Sequence, residues 1–363
     1  MSTQAVTKRP MILVMAGGTG GHIFPGLAVA ENLQEQGWGV HWLGTADRME
    51  ADVIPANNID ISFINIAGLR GKGIKSLIKT PFKIIHSVIQ SIKVINKVKP
   101  DVVLGMGGYA SAPGGIAAKL KGIPLVLHEQ NAVAGMSNRY LAKIANRVLS
   151  AFPNAFTDDT QCEVVGNPVR GKIMELNVDT EREIKKRVLV IGGSLGAKVL
   201  NDTVPQALSQ IKLQGIDVWH QTGSGNSSAV IDVYNEYGID QDKVKVTDFI
   251  DDMAQAYDWA DLVICRAGAL TVSEIAMAAK PAIFIPLPHA VDDHQTKNAQ
   301  FLVDLGAARM IAQSDFNATI LAQKLNMLFS SETALRNMSK ASKAAASPNA
   351  SETVANICKG LVK

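Results

Sequence analysis

The sequence predicts an α/β protein made of two doubly wound parallel sheets. Three observations carry that expectation. Short apolar, β-rich runs alternate with longer stretches of helical spacing along the chain. The first half resembles the second in the order of its motifs. The length of 363 residues suits two domains, at roughly 100–200 residues per domain.

The expected strands, in order, are MILVMA (11–16), DVVLGM (101–106), PLVLHE (124–129), RVLVIG (187–192), DVWHQT (217–222), DLVICR (261–266) and AIFIPL (282–287). Each is almost continuously apolar, as strands covered by helices on both faces are. Between them, FPGLAVAENLQEQ and LNDTVPQALSQIK place apolar residues at helical intervals. In the first half MILVMAGGTGGH, GWGVHWLGT, DVVLGMGGYAS and GIPLVL follow one another. RVLVIGGSLGA, GIDVWHQTG, DLVICRAGALT and AKPAIFI repeat that order roughly 160–180 residues later, a period far too long for a solenoid. Open α/β sheets bind ligands outside the carboxyl ends of their strands. Two such sheets face to face place the expected site in a cleft between domains.

Composition removes several classes. A chain that is 47% hydrophobic and 19% charged buries enough apolar surface to fold. Cys162, Cys265 and Cys358 are few, odd in number and far apart, which excludes a disulfide scaffold. No run of 18 apolar residues is present, and MSTQAVTKRP lacks a signal-peptide core, so the expectation is a soluble cytoplasmic protein. The net charge of +3 hides an asymmetry. Up to Asn167 there are 16 basic against 11 acidic residues, and beyond it 20 against 22. Arg70, Lys72, Lys75, Lys79, Lys83, Lys93, Lys97 and Lys99 follow one another with no acid between them.

Glycine-rich loops carry the chemistry. Gly17-Gly18-Thr19-Gly20-Gly21-His22 follows a strand and opens a helix. Its glycines let backbone N–H groups come close to a ligand, and a helix N-terminus favours an anion. No Gly-Lys-Ser/Thr closes the loop, and Ile23 stands where a dinucleotide fingerprint needs its third glycine. Taken singly, such a loop is equally well a tight turn without a ligand. Three more, Gly105-Met106-Gly107-Gly108-Tyr109, Gly192-Gly193-Ser194-Leu195-Gly196 and Ala267-Gly268-Ala269-Leu270-Thr271, shift the reading to a phosphorylated or diphosphorylated ligand. Thr271-x-x-Glu274 has the spacing of a capping box; alternatively Glu274 accepts from ribose hydroxyls. His22 at the end of the first loop is a candidate general base, and His128-Glu129-Gln130-Asn131 ends another expected strand. No HExxH, CxxC or EF-hand pattern occurs, which argues against a protein-ligated metal.

In the basic stretch Ile74, Leu77, Ile78, Phe82, Ile85, Ile89 and Ile92 fall at helical spacing, with Lys75, Lys79 and Lys83 at four-residue steps and Pro81 interrupting the first half. The C-terminal half suits an ordinary helix packed on a sheet. The first half suits an anionic membrane surface, where each Lys or Arg contributes about 1 kcal/mol. Nucleic acid fits less well, because aromatic residues for base stacking are missing and the isoelectric point is only 8.6.

GGTGGHIFPGLAVA, GMGGYASAPGG, LHEQNAVAG, VGNPVR, GGSLGA, FIDDMAQAYDWADLVICRAGALTVSEIA and DDHQTKNA, in this order, resemble the MurG family of bacterial N-acetylglucosaminyltransferases, from about Met11 to the C-terminal helix. The resemblance implies a GT-B fold with two Rossmann-like domains and a metal-independent, inverting transfer that needs no cofactor. It implies UDP-GlcNAc as donor, the undecaprenyl-linked lipid I as acceptor and lipid II as product. It also implies a peripheral place on the cytoplasmic face of the inner membrane, in reach of the cell-wall and division machinery. Residues 1–167 with helix 345–363 would form the acceptor and membrane-associating domain, and 168–344 the donor domain. Carried over by motif, donor contacts fall on Thr19, Gly20, Gly21, Asn131, Arg170, Ser194, Ile250 through its backbone, Ala269, Leu270, Thr271, Val272, Ser273, Glu274 and Gln295. Glu274 would take the ribose hydroxyls. Gly18, Gly107, Gly108 and Tyr109 would hold the acceptor diphosphate, and His22 would be the base, with Glu129 its alternative. The membrane surface would comprise Lys72, Ile74, Lys75, Ile78, Lys79 and Phe82. A UDP-GlcNAc 2-epimerase, a basic nucleic-acid-binding protein and a nicotinamide oxidoreductase are the rival readings.

Overall fold

Alternating hydrophobic side chains on one strand set the layers of the first half. On β1 (Met11–Ala16) Ile12 and Val14 join a core with Leu27, Leu33 and Trp42, while Leu13 and Met15 point to a second core with Ile95 and Ala117. A strand buried on both faces needs helices on both sides. The computed structural model describes residues 9–66, 74–156, 160–211, 213, 215–288 and 290–362, with the backbone alone for 74–80 and 291.

The chain continues through α1 (Gly20–Glu35), β2 (Gly39–Gly44), α2 (Glu50–Ala56), β3 (Asp60–Phe63) and α3 (Ile74–Val98). Then come β4 (Val102–Gly107), α4 (Ser111–Leu120), β5 (Leu125–Glu129), α5 (Met136–Leu141), β6 (Arg147–Ser150) and β7 (Glu163–Val164). These strands form one parallel sheet in the order β3-β2-β1-β4-β5-β6-β7. Strand order reverses between β1 and β4, which makes the carboxyl ends of that pair the topological switch point.

The second half repeats the plan: α6 (Gly171–Met174), β8 (Arg187–Ile191), α7 (Lys198–Ser209), β9 (Asp217–Gln221), α8 (Ser227–Glu236), β10 (Val244–Thr247) and α9 (Met253–Trp259). It goes on with β11 (Leu262–Cys265), α10 (Ala269–Met277), β12 (Ala282–Phe284), α11 (His294–Asp304), β13 (Ala308–Met310), α12 (Ala318–Phe329) and α13 (Glu332–Ala344). Its sheet runs β10-β9-β8-β11-β12-β13, again parallel, with the switch point between β8 and β11.

The last helix, α14 (Ala350–Lys359), returns to the first unit, where Val354, Ala355 and Cys358 enter the core of α1 and β1. One unit is Met1–Arg170 with Asn349–Lys363, the other Gly171–Pro348. Both breaks fall a few residues later than the 167/168 and 344/345 read from the sequence. Asn167 donates from Nδ2 to the Gln130 carbonyl at 3.4 Å, Val169 is buried, and the Arg170 guanidinium lies 5.3 Å from the Phe24 ring centroid. These contacts keep NPVR on the first unit. After α13, Ala345 and Ala346 still donate to its last turn, which delays the return.

Helix α3 also departs from expectation, since it runs through Pro81 without a break. The ring removes one hydrogen bond, which a helix of 25 residues absorbs. Its inner face is built on Ser87, Ser91 and Ile95, all buried, and the outer face leaves Phe82, Ile85 and Ile89 exposed at 75%, 57% and 47%.

Candidate active site

In the first unit the loops after β1 and β4 meet at the switch point. Gly107 and Gly108 have φ of +98° and +84°, and a Cβ on Gly108 would lie 2.3 Å from the Gly17 carbonyl oxygen. Only glycine satisfies both the left-handed backbone and that approach. A Cβ on Gly107 would fall 2.9 Å from Cε1 and Nδ1 of His22, so this glycine makes room for the imidazole. Buried Ser111 clamps the turn: its hydroxyl lies 3.1 Å from the Gly107 amide, which donates to it, and 2.7 Å from the Gly107 carbonyl. Tyr109 is exposed, with the Arg48 guanidinium 6.0 Å from its ring centroid.

The helix that follows the first loop starts at Gly20 with Thr19 as N-cap. No side chain caps it, and its first turn holds no acid. The leading N–H groups of a helix have no intrahelical acceptor, so the terminus is left with its anion-attracting character intact.

Beneath this loop lies a carboxylate that sequence reasoning did not single out. Glu50 is fully buried. Its Oε2 accepts from the Gly18 amide at 3.0 Å, and its Oε1 from the Thr45 amide at 3.0 Å and the Thr45 hydroxyl at 2.8 Å. The Gly18 N–H therefore faces inward, which corrects its expected part in holding a diphosphate through that group. In the sequence Glu50 looks like an ordinary acid in the first turn of α2, and nothing there records its burial. Glu50→Ala should destabilise the unit by about 2–4 kcal/mol, since it strands buried donors. Urea unfolding of the variant checks this, and a midpoint equal to the parent's would remove the clamp.

His22 Nδ1 lies 2.8 Å from Gln130 Oε1, Gln130 Nε2 lies 3.0 Å from His128 Nδ1, and His128 Nε2 lies 2.9 Å from the Gly166 carbonyl. Burial lowers the His128 pKa to about 4, so the ring is neutral near pH 7. Glu129 is buried as well, and its oxygens accept four hydrogen bonds. Oε1 takes the Asn131 amide and side chain at 3.0 and 3.1 Å, and Oε2 the Gly135 amide and Asn138 Nδ2 at 3.0 and 2.8 Å. Four donors from its own loop thus occupy both oxygens of this carboxylate. The geometry gives Glu129 the work of pinning the 131–138 loop, in place of its expected role as alternative base.

The second unit gathers Ser194, Ile250, the 269–274 segment and Gln295. Gly193 and Gly196 have φ of +83° and +75°, and the loop packs towards β9: a Cβ on Gly223 would lie 2.2 Å from the Gly196 amide nitrogen. Gln221 at the end of β9, another residue missed in the sequence, accepts from the Gly193 amide at 2.9 Å and donates to the Gly193 and Asp248 carbonyls. Ser194 is exposed and Ile250 buried.

Helix α10 begins at Ala269 after an extended Gly268, without a side-chain cap or an acid in its first turn. The Thr271-x-x-Glu274 pattern is therefore not a capping box here, because Gly268 starts the helix three residues earlier. Ser273 donates to the Ala269 carbonyl at 3.1 Å. Glu274, nearly fully buried along with Ala269, Leu270 and Val272, receives the Tyr257 hydroxyl at 3.1 Å. Gln295 Oε1 accepts from the amides of Ala267 at 3.3 Å and Leu287 at 2.9 Å, which ties β11 to the loop after β12. The half-buried Arg266 donates to the carbonyls of Ile285 and Pro286, and burial lowers its pKa.

Of the expected membrane surface, Lys72 lies outside the described residues, and so do the side chains of Ile74, Lys75, Ile78 and Lys79. Phe82 is exposed beside an exposed Lys83. No helix of the described residues is long and apolar enough to cross a membrane.

Two Rossmann-like parallel sheets, with glycine-rich turns and helix N-termini without side-chain caps at their switch points, form the GT-B arrangement of one class of glycosyltransferases. Residues 12–150 match the glycosyltransferase family 28 N-terminal domain, and 187–354 its C-terminal domain. The chain belongs to that family and, within it, to the MurG group. It is 56% identical over 357 residues to the UDP-N-acetylglucosamine--N-acetylmuramyl-(pentapeptide) pyrophosphoryl-undecaprenol N-acetylglucosamine transferase of Colwellia psychrerythraea, covering 96% of this chain and 92% of that one. The Aeromonas hydrophila protein of the same name is 54% identical, with 96% of each covered. The crystal structure of Acinetobacter baumannii MurG matches with a TM-score of 0.84 at 41% identity, over 97% of this chain and 99% of that one. The Neisseria meningitidis UDP-GlcNAc 2-epimerase, at 13% identity and a TM-score of 0.65 over 95% of this chain and 98% of that one, shares the fold alone.

Proposed function

We propose that this enzyme moves N-acetylglucosamine from UDP-N-acetylglucosamine to the 4-hydroxyl of undecaprenyl-diphospho-N-acetylmuramoyl-pentapeptide, with inversion at the anomeric carbon. The near full-length identity to transferases of that name carries the reading. The donor lies on the second unit, with its diphosphate at the open N-terminus of α10 and its ribose hydroxyls on Glu274. The acceptor's diphosphate lies on the first unit, at the glycine turns around His22.

As the hydroxyl attacks, His22 Nε2 takes its proton, the new glycosidic bond forms, and the bond from the sugar to UDP breaks. The electron pair leaves with the diphosphate. The N–H groups of Ala269, Leu270 and Thr271 stabilise that charge without a metal or cofactor. The exposed Phe82, Ile85 and Ile89 stripe of α3, edged by Lys83, rests on the anionic cytoplasmic leaflet where the acceptor is anchored.

One experiment tests both parts. The full chain is given labelled UDP-N-acetylglucosamine with the lipid acceptor in anionic vesicles, or with a soluble acceptor analogue. Labelled disaccharide lipid is expected. Epimerised free sugar without transfer would overturn the reading in favour of the epimerase. Phe82→Glu should weaken vesicle binding about tenfold and spare turnover of the soluble acceptor; unchanged binding would move the membrane contact elsewhere.

A further inference from the structure

We propose that Gln130 is a positioning residue: its amide holds His22 in the Nδ1–H tautomer, so that the lone pair of Nε2 is the one free to take a proton. The inference rests on the reading of His22 as the base.

A carbonyl oxygen only accepts. His128 Nε2 lies 2.9 Å from the Gly166 carbonyl, so that nitrogen carries hydrogen. The ring is neutral near pH 7, because burial lowers its pKa to about 4. Its Nδ1 is therefore an acceptor. Gln130 Nε2, 3.0 Å from that Nδ1 and 3.1 Å from the His128 carbonyl, must be the amide's donor end. Turning the amide over would set its oxygen against both a lone pair and a carbonyl. Its Oε1 is thereby committed to face His22 Nδ1 at 2.8 Å. An amide oxygen offers no proton, so His22 must supply one from Nδ1, and in the neutral ring Nε2 is left bare.

The orientation of the amide is thus set by two backbone carbonyls, of Gly166 and His128, which cannot titrate. Gln130 is itself buried, and water does not compete for it. In a free neutral imidazole both tautomers are available; here the other one would place a lone pair against Oε1. The same logic operates where a partner on one ring nitrogen sets the role of the other. A base in the wrong tautomer presents N–H to the proton it should remove. Donor binding does not depend on this choice, so the effect belongs in kcat.

The test is nitrogen-15 NMR of the histidine rings in the full chain, with His22 assigned from the spectrum of His22→Ala. The parent should show His22 protonated at Nδ1 and bare at Nε2. Gln130→Met, which keeps the bulk and removes both polar ends, should release the preference and lower kcat on the order of 10–100-fold with donor KM within about twofold. Gln130→Glu, its carboxyl protonated on the oxygen that faces His128 Nδ1 and the His128 carbonyl, keeps a donor there and an acceptor opposite His22, so it should retain the Nδ1–H tautomer and more of kcat than Gln130→Met. A purely structural role predicts the reverse order, because a buried carboxylate is worse tolerated than a thioether. An Nε2–H tautomer in the parent would overturn the proposal without need of any variant, and so would Gln130→Met with parental tautomer and kcat. If the tautomer follows Gln130 while His22→Ala leaves kcat intact, the reading of His22 as base has failed and the positioning has not.

Discussion

His22→Ala is expected to lower kcat by about 10²–10⁴-fold, the range that a positioned general base supplies, and to leave donor KM little changed. His22 stands on the first turn of α1, beside the Gly107 turn of the first unit, whereas the proposed donor contacts on Glu274 and α10 belong to the second. Steady-state kinetics with the soluble acceptor separate the two parameters. A kcat near the parental value would clear His22 of base duty. Glu129 does not offer an easy substitute, because four donors already occupy its carboxylate.

Glu274→Ala should act on the other parameter. A carboxylate that accepts from a ribose hydroxyl makes a charge-assisted bond, for which about 1.5–3 kcal/mol is typical. Its loss corresponds to a rise in donor KM of roughly 10- to 150-fold. The substitution also removes the hydrogen bond that the buried Tyr257 hydroxyl donates to Glu274, which costs about 1–3 kcal/mol of stability. Pairing it with Tyr257→Phe, which removes the donor of that bond as well, separates the two effects: stability should recover in part while KM stays high. An unchanged KM in Glu274→Ala would confine this residue to holding Tyr257.

How much of this was legible in the sequence follows from burial. Central strands such as β1, β8 and β11 are covered on both faces, so their sequences are continuously apolar and stand out. Edge strands do not. β7 is the exposed pair Glu163–Val164, and β3 and β10 carry charged or half-exposed residues; such short segments form because a neighbouring strand offers a ladder, which no local pattern records. The glycine turns were readable because a left-handed backbone selects glycine. The supports beneath them were not. Glu50, Gln130 and Gln221 are polar side chains whose importance lies in being buried against particular partners, backbone amides for Glu50 and Gln221 and imidazole nitrogens for Gln130, and the sequence shows only a polar letter near a helix or strand end. The Thr271-x-x-Glu274 spacing misleads for a related reason: a bare glycine turned the chain into the helix three residues before the motif suggested.

The glycine contacts differ between the two repeats in a way that separates their uses. In the first unit the turn after the leading strand leans on the turn after β4, so backbone from Gly17 and Gly108 bridges the reversal point of the sheet. In the second, the equivalent turn leans the opposite way, onto the turn after β9, with Gly196 seated against Gly223. The same strand order thus has its reversal point bridged by backbone in the first unit, whereas in the second the glycine contact falls between the turns after β8 and β9. On the proposed assignment, the acceptor's diphosphate meets a backbone bridge at the reversal point of its sheet, and the donor's diphosphate meets the open N-terminus of α10. The direction in which one glycine turn leans is what tells the two repeats apart at the place where each would receive its ligand.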